Sequence, residues 1–313
     1  MALKSLAAQA LRETFEVLVI DNGSTDETVL VVDEWSDRMS NLRYFHEPEP
    51  GLHAGRHRGM LESKGDVLVF ADDDIEALPT WLSTIADGFT DPTLAMMGGN
   101  NLPLFMQPPP SWLDDLWNRR QHDGSRSLPW LSIQERPSGR YPISPYQIWG
   151  CNFAIRKKVL LAAGGFHPDG MPKELIRFRG DGETHVSRYV AERGLKCLFD
   201  SGASVYHKVT PERMTFEYFR QRGFNQGISD SYTQLRGKSV TYDGKHSLAS
   251  RVARWGRSNL RGLQSRLSFI GETGEQKALR EFEAGHREGF AYHQAVYHED
   301  PEIRAWVHRE RYF

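Results

Sequence analysis

The chain has 313 residues, 39% apolar and 26% charged, with a formal net charge of −2. That is the composition of an ordinary globular protein with one large domain, or one domain and an appendage, and it supplies no global field for nucleic acid or an anionic membrane. Its two cysteines, Cys151 and Cys197, have no paired spacing, which argues against a disulfide framework or a zinc cluster and fits a reducing compartment.

No stretch approaches the run of about 20 apolar residues that spans a bilayer. The opening "MALKSLAAQALRETF" reads as an amphipathic helix over 2–13 rather than a signal peptide. A cytoplasmic location is expected, with peripheral contact to the inner face of a membrane left open. An apolar strand over 15–20 then runs into Asp21, Asn22, Gly23, Ser24, Thr25 and Asp26. These are turn-forming residues, and Asp26 can cap a helix over 27–39 that carries Val29, Val32 and Trp35. A βα turn would account for the cluster. In open α/β sheets, however, ligands sit outside the carboxyl ends of the strands, where this loop lies.

A short strand at 42–46 leads through the Pro/Gly loop "EPEPGLHAGRHRG" into a helix that Gly65 stops. A buried strand, "DVLVFA" over 66–71, delivers Asp72, Asp73 and Asp74. Pro79 opens a helix to about residue 90, and "TLAMMGGN" reads as a fourth strand. Strands alternating with helices, each strand a continuous apolar run, predict a parallel, doubly wound sheet.

Residues 101–146 have no period but carry Trp112, Trp117, Trp130 and Tyr141, so a packed excursion near the active site is expected. Strand and helix return over 146–166. A helix at 181–194 turns Val186, Tyr189 and Val190 inward and ends at Gly194. Two strands follow, the second ending at His207, and then the helix that begins "TFEYFRQRG". The expected organisation is a catalytic domain over 1–235 and a helical C-terminal extension over 236–313. Whether the extension packs on the domain, dimerises or rests on a membrane stays open.

Three adjacent carboxylates repel one another unless a cation neutralises them. A solvated surface patch is the plain alternative. At a strand's carboxyl end, oxygen donors suit hard cations such as Mg²⁺ or Mn²⁺ beside substrate phosphates. Alternation in an extended segment lets Asp72 and Asp74 face one site and turns Asp73 elsewhere.

The ordered set "VLVIDNGSTDET", "EPGLHAGRHRGM", "GDVLVFADDD", "GCNFAIRKKVLLAAGGF", "GDGETHVSRYVAERG" and "VYH" resembles a family-2 glycosyltransferase. The resemblance implies a GT-A-like, mostly parallel α/β sheet flanked by helices. It also implies transfer of a sugar, with inversion, from a UDP- or GDP-sugar to a carbohydrate or lipid-linked acceptor, and a Mn²⁺ or Mg²⁺ cofactor.

By the same resemblance, Asp21, Arg56, Asp72 and Asp73 fall among the nucleotide-sugar-binding positions. Asp74 and His207 fall at metal-ligand positions, and Asp181 at that of the catalytic base. Trp149, Asn152 and Glu183 fall on the acceptor side. Each has a plainer role available: Asx turn for Asp21, solvated helix start for Arg56 with His57 and Arg58, helix cap for Asp181, core packing for Trp149, and a structural strand-end imidazole for His207. The acid that precedes Asp181 in the family is replaced here by Gly180, while Asp181 and Glu183 keep the Asp-x-Glu spacing.

The family's opening strand and its Pro-Thr-Tyr-Asn-like turn have no counterpart before "MALKSLAAQAL". An exposed sheet edge would then lower stability, promote self-association or require another segment to cover it. A catalytically silent domain of the same fold, acting as a binding or assembly partner, is the competing expectation. A nucleotidyltransferase would want a Gly-rich basic phosphate loop near the first strand, and none is visible.

Overall fold

The computed structural model describes residues 2–238, 241–242, 246–247 and 272–313. In chain order the elements are α1 (Ala2–Ala7), β1 (Val17–Asp21), α2 (Thr28–Ser36), β2 (Leu42–His46), α3 (Leu52–Glu62), β3 (Val67–Ala71), β4 (Ile75–Ala77), α4 (Trp81–Gly88) and β5 (Leu94–Gly98). Then come β6 (Asn101–Phe105), α5 (Ser111–Asn118), β7 (Arg126–Leu128), β8 (Ile133–Glu135), β9 (Arg140–Pro142), β10 (Asn152–Arg156) and α6 (Lys157–Ala163). The chain continues with α7 (Glu183–Glu192), β11 (Lys196–Asp200), β12 (Val205–Val209), α8 (Phe216–Leu235), α9 (Gly274–Glu299) and α10 (Pro301–Val307).

The chain divides into two compact units, one of Met1–Met106, Arg120–Val209 and Arg309–Phe313, the other of Gln107–Arg119 and Thr210–His308. This differs from the boundary expected at 235: α8 groups with the later helices, and the last five residues return to the first unit. Residues 248–271 of the expected extension lie outside the described residues.

The first unit is α/β, as expected, but its sheets are mixed rather than mostly parallel. The central sheet has the order β3-β10-β5-β11-β9. Only β5 and β11 run parallel in it; β10 is antiparallel to both β3 and β5. A second sheet, β4-β12-β6-β8-β7, has one parallel pair, β12 with β6. β1 and β2 form a separate parallel pair, from Val17 opposite Leu42 to Asp21 opposite His46. An apolar run with both faces buried looks the same in either direction, so sequence could not orient β10.

Both faces of the central sheet are covered, which explains its unbroken apolar strands. Leu68, Phe70, Phe153 and Ile155 pack with Met60, Leu160, Val186 and Val190 from α3, α6 and α7. The alternate residues Val67, Val69 and Ala154 pack with Trp81 and Ile85 of α4 and with Leu6 of α1. Residues 101–146 do not form the single excursion expected: β6–β9 fall in the first unit, with Trp130 buried, while α5, with Trp117 buried, groups with the second.

In the second unit α8 and α9 meet along glycines. A Cβ on Gly223 or Gly227 would run into the carbonyl oxygen of Phe282 or His286, and one on Gly285 or Gly289 into that of Arg220 or Phe224. Polar pairs line the same seam: the half-buried His286 Nε2 with Asp230 Oδ2 and the buried Ser231 Oγ with His293 Nδ1, each at 2.8 Å.

Candidate active site

The site is assembled by strand register. Asn152 of β10 sits opposite Ala71 of β3, so the residues just beyond, Cys151 and Asp72, leave the ladder at the same level. His207 of β12 lies opposite Ile75 of β4, and the Lys208 N–H donates to the Asp74 carbonyl. Two pairings thus bring the acidic turn, a cysteine and a histidine together. His207 Nε2 stands 3.2 Å from Asp74 Oδ1. One ligand atom each from Asp72, Cys151 and His207 lie within 4.8 Å of one another. Asp73 is exposed, and it lies in a turn between β3 and β4 rather than in the extended segment that the alternation argument assumed.

Desolvation pushes the Asp72 carboxyl above its ordinary value; Arg56 opposes the shift and Asp74 adds to it. Burial, reinforced by the carboxylates of Asp72, Glu183 and Asp74, keeps the Cys151 thiol protonated well past its usual range. The two carboxylates suit a hard cation such as Mn²⁺ or Mg²⁺, and a cation between them would offset the Asp74 charge that adds to the desolvation of Asp72.

Arg56 is buried on α3 and reaches two carboxylates from different elements. One guanidinium nitrogen stands 3.6 Å from Asp72 Oδ1 and another 3.4 Å from Glu183 Oε2. Its plane lies over the Phe166 ring, 5.3 Å from the centroid. Gly150 makes the approach possible, since a Cβ there would overlap the guanidinium. His57 and Arg58 are not a shared solvated patch: His57 is buried and accepts the Phe166 N–H, while Arg58 pairs with Glu62 at 3.0 Å.

Asp181 and Glu183 face different surroundings because Gly182 between them has φ +53°, a conformation that side-chain-bearing residues rarely adopt. The Asp181 side chain is only 3% exposed. His167 Nδ1 lies 2.6 Å from one carboxylate oxygen and Arg188 donates to the other at 3.0 Å. Burial would raise this carboxyl, but His167 and Arg188 outweigh it and hold it low. The Glu183 side chain opens α7 and keeps 29% exposure beside Arg56.

Behind Asp181, His167 stacks on His185 at 3.6 Å, and the returning C-terminus closes the cluster: Tyr312 stands edge-on to His53 and His167, and Phe313 lies over His57. Burial lowers His53 and His185 to about 4 and His57 to about 3.

The remaining expected residues have mainly structural surroundings. Asp21 is buried; Ser24 N–H and Tyr44 O–H each donate to it at 2.7 Å. Those bonds, the Ser24 one foremost, lower its pKa against burial. Asn152 donates both amide protons to the carbonyls of Asn100 and Ala203 and accepts the Trp81 indole N–H. Trp149 donates to the Tyr146 carbonyl and packs on the core. The pairing of Arg56 with Glu183 and the place of Cys151 were not foreseen. Sequence carried no signal for either, because both depend on how β10 and α7 are oriented.

Residues 1–161 match the family model described as "Glycosyl transferase family 2", and the chain belongs to that family of glycosyltransferases. It is 24% identical over 243 residues to the glucosyl-dolichyl phosphate glucuronosyltransferase of Haloferax volcanii, covering 74% of this chain and 71% of that one. It is 33% identical over 90 residues to glycosyltransferase AglE of the same organism, 28% of this chain and 30% of that one. Among solved structures, GalNAc-T7 with UDP, GalNAc and Mn²⁺ superposes with a TM-score of 0.49 at 16% identity, covering 98% of this chain and 54% of that one. Among the described residues no helix is long and apolar enough to cross a membrane.

Proposed function

We propose that the protein transfers a sugar, with inversion and metal dependence, from a nucleoside-diphosphate sugar to a hydroxyl of a carbohydrate or lipid-linked acceptor. The lipid-linked class is suggested by the dolichyl phosphate in the name of the Haloferax relative. A reducing compartment, consistent with two free and buried cysteines, and a membrane surface would then be its setting. The observation that carries the reading is Arg56 set between Asp72 and Glu183, with Asp74 and His207 beyond Asp72.

Asp72, Asp74 and His207 would hold Mn²⁺ or Mg²⁺, which supplies Lewis-acid stabilisation of the charge on the departing diphosphate. Arg56 steadies both carboxylates and adds positive charge beside the leaving group. The acceptor hydroxyl gives its proton to a carboxylate as its oxygen bonds to the anomeric carbon. The bond to the diphosphate breaks opposite, and its electron pair leaves with the nucleotide. The base must lie within about 3 Å of that proton. Asp181, with both oxygens engaged and 3% exposure, suits the support of the α7 start; Glu183 is the carboxylate an acceptor can reach.

The test is the melting temperature with UDP, GDP or CMP, each with and without Mn²⁺. A ligand at 100 times its Kd adds about 2.7 kcal/mol to stability. A rise of several degrees for one nucleotide, only with Mn²⁺, is expected and would identify the donor class. No rise with any nucleotide would transfer the case to a catalytically silent domain.

A further inference from the structure

We infer that Cys151 gives the cation pocket a soft third donor, so that Asp72, Cys151 and His207 together capture a thiophilic divalent ion of the Zn²⁺ or Cd²⁺ class. Three observations converge on this. The donor atoms of the three side chains lie within 4.8 Å of one another. Donors bonded to one tetrahedral ion at about 2.0–2.3 Å stand about 3.3–3.8 Å apart, so side-chain rotations that draw the three inward by about 1 Å complete the set. His207 Nδ1 is buried and takes no hydrogen bond. Cys151 is 3% exposed, and its thiol makes a long 3.9 Å approach to the Ser132 carbonyl.

The donor set, carboxylate, thiol and imidazole, is that of a three-ligand zinc site with an open fourth position, and thiolate selects against hard ions. Divalent affinity at such mixed donors also favours Zn²⁺ over Mn²⁺. Coordination forms a sulfur–metal bond and releases the thiol proton to solvent, so capture strengthens as pH rises. That the captured ion displaces the diphosphate-linked cation, and so inhibits, rests on the function proposed above. The binding itself does not.

The experiment titrates the full-length protein with Cd²⁺ while following the ultraviolet thiolate-to-cadmium absorption, and collects zinc-edge X-ray absorption on the Zn²⁺-loaded native protein. The expected result is a saturable absorption band and one sulfur neighbour at about 2.3 Å. Cys151→Ser should abolish the band and weaken Cd²⁺ binding at least about tenfold, since lost supporting groups alone cost that much. Cys197→Ser should leave both in place. A first coordination shell of nitrogen and oxygen only, or a band that survives Cys151→Ser, overturns the inference even where the Ser variant fails to fold, because the X-ray measurement uses native protein. Electron spin resonance of Mn²⁺ with UDP separates the two readings. Mn²⁺ bound but no sulfur on Zn²⁺ rejects only the Cys151 site; sulfur on Zn²⁺ but no Mn²⁺ bound rejects only the proposed function.

Discussion

Asp74, in the turn before β4, stands 3.2 Å from His207 of β12, and a cation placed there draws on both. Asp74→Asn keeps the shape and removes the charge, so the Mn²⁺-dependent part of the nucleotide-induced rise in melting temperature should vanish in a thermal-shift series. Glu183 and Asp181 are separated by one glycine but by opposite environments, and their amide variants should fail differently. Glu183→Gln should retain nucleotide binding and lose about 10²–10⁴-fold in transfer rate, the worth of a general base. Asp181→Asn should instead lower stability by about 3 kcal/mol, the cost of breaking a buried ion pair, read by urea denaturation. Normal stability with lost transfer in Asp181→Asn would restore the base to Asp181. His207, expected at a strand end, lies in the middle of β12. The acidic triplet was legible in sequence because it follows an apolar strand. The split between Asp181 and Glu183 was not, because it depends on the left-handed turn at Gly182.

At the scale of elements, α8 and α9 are held by backbone approach rather than by large side chains. Each glycine of the Gly223/Gly227 and Gly285/Gly289 pairs faces a carbonyl of the other helix, and a carbonyl in a regular helix cannot retreat. Gly227→Ala should therefore cost at least about 1–3 kcal/mol, the usual penalty of overpacking, and calorimetry should show a melting temperature several degrees lower. An unchanged transition would mean that the helices separate freely at this seam. The four-residue glycine spacing is visible in both segments, yet spacing alone does not say which helix a glycine faces. The strands β1–β3, β5 and β10–β12 were placed to within a few residues, but α1 ends well before the residue 13 expected, the elements of 101–146 gave no period, and the direction of β10 was not legible, since its pairing partners lie far away in sequence.

For the molecule as a whole, pH acts through histidines kept neutral by burial. The folded values are about 4 for His53, His185 and His293 and about 3 for His57, against an ordinary 6.5. Between those limits the unfolded chain binds protons that the folded chain refuses, so stability rises with pH from about 4 to about 6.5 and this contribution is then flat. Denaturation midpoints should fall steadily as pH is lowered through that window, and a level profile would contradict the burial of the cluster. The sequence by itself determined the α/β alternation, the family and the strand-borne acids, because period, turn chemistry and motif order are local properties. Only the tertiary structure decided that β10 enters antiparallel and carries Cys151 to Asp72, and that Arg56 spans to Glu183. Strand direction and register are set by long-range pairing, which a local apolar pattern leaves open.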